Sequence, residues 1–216
     1  MAALRKFDDY KELFDGLDFE FLKYESGNIS RLDKVKLEMG DGKLLKWCEM
    51  YAEIPQLRKM IFIADNDNDN VCKHLKGKNG ASYKNWGNNV YSLTLPIPEH
   101  RKNTPKISIE HLYTDAEIMT ELELGGIKRR LYMGYEFDSY GIGNDYVCMI
   151  RSSCGEGKIN IIESNVRSKE KGNDANMALS KKRFAEGVLS KKTPFDTFDF
   201  ANFLPIFKVI NDILNS

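Results

Sequence analysis

The feature that most constrains the fold is Met60-Ile61-Phe62-Ile63-Ala64-Asp65-Asn66-Asp67-Asn68-Asp69-Asn70. Five apolar or small residues run without a polar break, and aspartates then follow at every second position. A short run rich in Ile and Phe reads as a strand buried on both faces, and such strands usually belong to parallel sheets covered by helices. In those sheets ligands sit outside the carboxyl ends of the strands. The aspartates begin where this strand should end. Spaced carboxylates concentrate negative charge, and hard oxygen donors suit Mg²⁺, Mn²⁺ or Ca²⁺. The expectation is a divalent-metal site at Asp65, Asp67 and Asp69, holding Mg²⁺ or Mn²⁺.

The flanking periodicities agree with a helix-covered sheet. Ala3, Leu4, Phe7, Tyr10, Leu13 and Phe14 recur at helical spacing over residues 2–14. Phe19 to Tyr24 reads as a strand, and residues 43–52 as a helix with Leu44, Leu45, Trp47 and Cys48 inward. Helix, strand, helix, strand favours an α/β sheet. Residues 70–78 read as a short helix or loop, the Gly/Asn-rich residues 79–89 as a loop, and residues 90–95 as a second strong strand. Pro96, Pro98 and Pro105 bracket a basic connection, and residues 107–110 read as a short extended piece. Thr114-Asp115-Ala116-Glu117 fits a capping box, so a helix is expected to start there and run to about Leu124, closed by Gly125-Gly126.

In the second half, Leu131, Met133, Tyr135 and Phe137 alternate as in a strand. Residues 146–150 and 159–162 are candidate strands, 175–189 a helix, and Phe200 to Leu214 an amphipathic final helix. The expected organisation is an α/β core over residues 1–125 and an α+β extension over residues 126–216, packed as one unit.

Composition limits the functional classes. The chain has 216 residues, with 32 basic and 32 acidic side chains. That balance gives no whole-molecule attraction for nucleic acid, so binding must use a local patch. No apolar run approaches the ~20 residues that span a bilayer, and residues 1–7 have no signal-peptide core. Cys48, Cys72, Cys148 and Cys154 lack metal-ligand and C-x-x-C spacing, which reads as reduced thiols in a cytoplasmic protein.

Other motifs are excluded by spacing. An EF-hand loop starting at Asp65 needs Gly at its sixth position and Glu at its twelfth, where this chain has Asn70 and Lys76. His74, His100 and His111 have no zinc-site spacing. The Gly-rich pieces lack a nucleotide-cradle pattern, and no G-x-S-x-G elbow occurs. Lys73, Lys76, Lys78, Tyr83, Lys84 and Trp86 mix basic and aromatic residues; they suit either a strand-binding patch or an ordinary loop anchor.

Ile61-Phe62-Ile63-Ala64-Asp65-Asn66-Asp67 resembles the D-x-D strand end of the Toprim domain, found in topoisomerases, primases and OLD-type (overcoming lysogenization defect) nucleases. Gly40 and Gly42, the helix from Lys43, and the strand at 90–95 follow the same order. Pro96, Pro98 and Ile109-Glu110 resemble the segment after the fourth core strand, and Lys181-Lys182-Arg183-Phe184-Ala185-Glu186 the late helix with a basic residue. The resemblance covers roughly residues 1–125 and more loosely 175–189. It implies a Toprim-like, mostly parallel sheet flanked by helices.

The resemblance also implies Mg²⁺-dependent phosphodiester chemistry on nucleic acid, with Asp65, Asp67, Glu110 and Lys181 as catalytic residues. A partner ATPase and a role in defence against foreign DNA follow from the same likeness. One departure stands out: no apolar strand ending in E-G-x-x-D precedes the helix at 2–14, as expected of either a truncated product or a diverged copy that lost the Glu, and Glu25 follows what aligns as the second strand. Asp65 and Asp67 alone do not complete a two-metal site. Glu110 also reads as a solvated strand-end acid, and Lys181 and Lys182 as a solvated helix face. The rival expectations are a non-catalytic nucleic-acid-binding or regulatory module and a nucleotide or second-messenger binder.

Overall fold

A computed structural model describes residues 41–170, 174–191 and 193–216. The helix expected at 2–14, the strand at 19–24 and Glu25 lie outside the described residues. The chain forms two compact units. One contains, among described residues, 41–109 and Asn202–Ser216; the other is drawn from Glu110–Ala201.

The first unit is built on a three-stranded sheet in the order β1-β3-β2. Strand β1 (Met60–Ala64) runs parallel to β3 (Val90–Thr94), with Met60 beside Val90 and Ala64 beside Thr94. Helix α1 (Asp41–Ala52) precedes β1, and α2 (Asp69–Leu75) lies in the crossover between the parallel strands. Period-two alternation sorts the side chains of β1. Phe62 and Ala64 pack with Leu44 and Cys48 of α1 and with Leu75 of α2. Ile61 and Ile63 pack with Tyr91 and Leu93 of β3 and with Val209 and Ile213 of the final helix, Leu204–Leu214. Helices therefore cover both faces of β1, as its unbroken apolar run predicts.

Strand β2 (Lys84–Gly87) pairs antiparallel with β3, in a stretch expected to be loop. Asn88 and Asn89, at φ 50° and 63°, make the tight turn between them. Asn tolerates the left-handed region that such two-residue hairpins require.

Among the described residues, the second unit is a set of short antiparallel pairs with two α-helices. The capping box at Thr114 forms: its Oγ1 accepts the Glu117 N–H at 3.3 Å, and Glu117 Oε2 accepts the Thr114 N–H at 2.8 Å. The helix it opens, α3 (Asp115–Ile118), stops well short of the expected Leu124. Leu122–Leu124 is instead strand β4, turned through Gly125 and Gly126 (φ 61° and 77°) onto β5 (Ile127–Arg129). Consecutive glycines at positive φ are hairpin chemistry, and the hairpin overrides the helical reading.

The alternating run from Leu131 is strand only at β6 (Tyr132–Met133), which pairs with β8 (Ile161–Ile162). Strand β7 (Tyr146–Cys148) pairs with β9 (Val166–Ser168). Tyr132, Phe137, Cys148, Cys154, Ile162 and Val166 form the core they share. Helix α4 (Lys181–Ser190) begins later than the expected residue 175, because Asn176 and Ala178 bridge to Arg167 and Arg130.

These pairings correct the expected fold class. The chain is α/β, but among the described residues β1 and β3 are the one parallel strand pair, and the sheets have two or three strands. A mostly parallel Toprim-like sheet needs repeated helical crossovers. Beyond β3 the strands are short, and their pairings are antiparallel.

Candidate functional site

Asp65 immediately follows β1 at the carboxyl end of the parallel pair. The next residue, Asn66, forms an isolated antiparallel bridge with Ile107. Its N–H donates to the Ile107 carbonyl at 2.8 Å, and the Ile107 N–H returns to the Asn66 carbonyl at 3.3 Å. The Asn66 side chain is buried and donates through Nδ2 to the Pro105 carbonyl at 3.1 Å. Extended backbone alternates sides, so Asp65 and Asp67 face together, away from Asn66. The bridge register sets Asp67 opposite Lys106 and Asp65 opposite Ser108.

Each aspartate has a distinct environment. Asp65 Oδ1 accepts the Ile109 N–H at 3.1 Å. Asp67 is exposed. Asp69 opens α2, where a carboxylate suits the positive end of the helix. Its Oδ2 lies 2.6 Å from Lys106 Nζ, and both side chains are well exposed. Hydrogen bonding and charge from Lys106 hold the Asp69 carboxyl below its ordinary value, and the same contact raises the Lys106 ammonium. Asn68 caps the helix by accepting the Asn70 N–H at 3.2 Å.

The side chains of Asp65 and Asp67 are hard oxygen donors. Mg²⁺ is commonly held by one or two carboxylates, with waters and substrate phosphates completing its shell. Among the described residues, no three His, Cys, Asp or Glu side chains gather as a metal cage. Asp69, the third expected ligand, is engaged by Lys106.

The other two expected catalytic residues meet in the second unit. Glu110 Oε2 and Lys181 Nζ are 3.1 Å apart across 71 residues of sequence, with the Glu110 side chain only 12% exposed. Lys181 opens α4, and its own N–H donates to Glu163 Oε2 at 2.9 Å. A lysine at the positive end of a helix is unfavourable by itself, and these two carboxylates offset it. Lys182 remains exposed. The proposed catalytic set is thus divided: Asp65, Asp67 and Asp69 belong to one unit, Glu110 and Lys181 to the other.

The aromatic and basic residues after the aspartates are partly structural. Trp86 donates through Nε1 to Ser92 Oγ at 2.8 Å and packs on the α1–α2 side of the sheet. The Lys84 ammonium sits 3.2 Å from the Trp86 ring centre and donates to the His74 carbonyl at 2.9 Å. Burial lowers its pKa. Tyr83 meets Tyr91 edge-on at 5.9 Å. Lys73, Lys76 and Lys78 are exposed.

Sequence reasoning missed Lys106 and Asn66 as parts of this site. The available signals were the basic run before Ile107 and the polar residue between the two aspartates. Comparison with protein-family models, curated proteins and solved structures found no match. Among the described residues, no helix is long and apolar enough to cross a membrane.

Proposed function

We propose that Asp65 and Asp67 bind one Mg²⁺ or Mn²⁺ ion and, through it, a phosphate group of nucleic acid. The observation that carries this reading is the anchoring of Asn66 to Pro105 and Ile107 at the carboxyl end of parallel strands; alternation along an extended chain then puts the two flanking aspartates on the side opposite Asn66. When bound, the cation offsets phosphate charge and orients the ligand. The Ile109 N–H holds the Asp65 carboxylate in place, while Lys106, which at rest pairs with Asp69 at the surface, turns part of its charge to a second phosphate oxygen when the ligand binds.

Binding without cleavage is the preferred form. In-line cleavage at such sites uses a second cation or a group that moves a proton. Among the described residues of this unit, the nearest further carboxylate in sequence, Asp69, is tied to Lys106. Phosphodiester cleavage is the second reading, favoured by the Glu110–Lys181 pair. A partner ATPase and a defence role belong with that second reading, and a cytoplasmic setting is proposed with both.

Calorimetric titration of Mn²⁺ into the full chain tests the proposal. One saturable site, lost in Asp67→Asn, is expected. Labelled oligonucleotide should then bind in Mn²⁺ and release on chelation. Unchanged Mn²⁺ binding in Asp67→Asn would falsify the assignment. Nicking of plasmid DNA by wild type, abolished in Lys181→Met, would select cleavage over binding.

A further inference from the structure

The second unit contains a pair of thiols that the proposed function does not use. Cys148 ends β7 and Cys154 follows a single 3-10 turn, Arg151–Ser153. Both are free, almost fully buried, and part of one apolar cluster with Tyr132, Phe137, Ile162 and Val166. Cys154 Sγ donates to the Ile150 carbonyl at 3.3 Å, and after burial the neighbouring Cys148 thiol helps to raise the Cys154 thiol.

The backbone fixes both ends of this short loop. Cys148 N–H donates to the Gly141 carbonyl at 2.7 Å, and Gly155 N–H to the Gly134 carbonyl at 3.0 Å. The turn that joins them lies at the surface: Met149, Arg151 and Ser152 are exposed. Burial pushes the Cys154 thiol up to about 12, so it is unreactive while the turn is closed. Local opening of a short exposed turn costs far less than global unfolding and gives a small reagent access.

We propose that Cys148 and Cys154 form a reversible intrachain disulfide, with a low-molecular-weight disulfide such as oxidised glutathione as the oxidant. In the opened turn the Cys154 thiolate attacks one sulfur of the oxidant, breaking its S–S bond and expelling one small thiolate. The Cys148 thiolate then attacks the Cys154 sulfur of the mixed disulfide and expels the second. The two protons of the protein thiols end on the two released thiols. The product fastens the end of β7 to the turn beside it.

The test uses the intact chain equilibrated with oxidised glutathione, then denatured, alkylated and weighed. Reduced protein should alkylate at all four cysteines. Oxidised protein should alkylate at Cys48 and Cys72 only, and peptide mapping should join Cys148 to Cys154. Its melting temperature should rise by roughly 5 °C, from the constrained unfolded chain. Cys148→Ala should stop at a glutathione adduct on Cys154. Four alkylated cysteines after equilibration, a persistent adduct in wild type, or a bridge between other cysteines would each overturn the proposal.

Discussion

Asn66 and Ile107 exchange both of their backbone hydrogen bonds, at 2.8 and 3.3 Å, across 41 residues of chain. This contact pairs the segment just beyond β1 with the segment before Glu110. It also brings Lys106 beside the aspartates.

Removing the anchor should therefore cost stability and cation binding together. Asn66→Ala deletes the donor to the Pro105 carbonyl at a buried position. The expected loss is about 1–2 kcal/mol. Urea unfolding measures it, and calorimetry on the same variant should show weaker Mn²⁺ binding than wild type.

Lys106→Met should split two affinities in opposite directions. Taking a positive charge from beside the carboxylates should strengthen Mn²⁺ binding roughly threefold, the scale of an exposed ion pair. Oligonucleotide binding in saturating Mn²⁺ should weaken roughly tenfold, because a charge-assisted phosphate contact is gone. Loss of both affinities would assign Lys106 a purely structural role.

The Asp69–Lys106 pair has a defined pH signature. Asp69 titrates below its ordinary value of 3.8 in the folded chain, first because Lys106 donates a hydrogen bond to it and then because of that residue's charge. Its stabilising contribution is present above the unfolded value and disappears as pH falls through the lower folded value. Lys106 is shifted upward from 10.5, so its contribution is present below that value and lost as pH rises through the folded one. Carbon-detected NMR titration should find the Asp69 carboxyl depressed, and Lys106→Met should return it to the ordinary range.

Lys59 joins the approach to β1 to the end of the final helix. Its ammonium donates to the carbonyls of Ile213, Leu214 and Ser216 at 2.8, 3.1 and 2.6 Å. A cation at the negative end of a helix, satisfying its last carbonyls, is stabilising. Lys59→Met should lower stability by about 1–2 kcal/mol, read as an earlier urea midpoint.

Gly187→Ala reverses the sign that helix propensity predicts. Alanine in place of glycine inside a helix ordinarily stabilises by about 1 kcal/mol. Here a Cβ would stand 2.5 Å from Cε2 of Phe195, a buried ring that packs edge-on against Phe184 and Phe198. The ring has little room to retreat, so the expected change is a loss of about 1–3 kcal/mol. Thermal melting of this single variant distinguishes the two signs.

Local pattern was enough to locate β1, α1, β3 and the capping box at Thr114, because apolar spacing and capping chemistry act over one or two turns of chain. The same pattern over-extended the helix after Thr114, where the Gly125–Gly126 turn favours a hairpin, and concealed β2 within an Asn-rich stretch. Lys84 and Trp86 read as a strand-binding patch or, more often, as a loop anchor, and their contacts are those of an anchor.

What the sequence determined by itself is that β1 is a strand with apolar contacts on both faces, although only Ala64 is fully buried, and that Asp65 and Asp67 stand at its end, since both follow from consecutive residues. Tertiary structure alone decided that β1 has, among the described residues, one parallel neighbour, that Asn66 grips Ile107, that Lys106 takes Asp69, and that Glu110 meets Lys181 in a different unit. Strand partners and ion pairs join residues tens of positions apart. Their choice depends on how the whole chain closes, and no local periodicity carries that information.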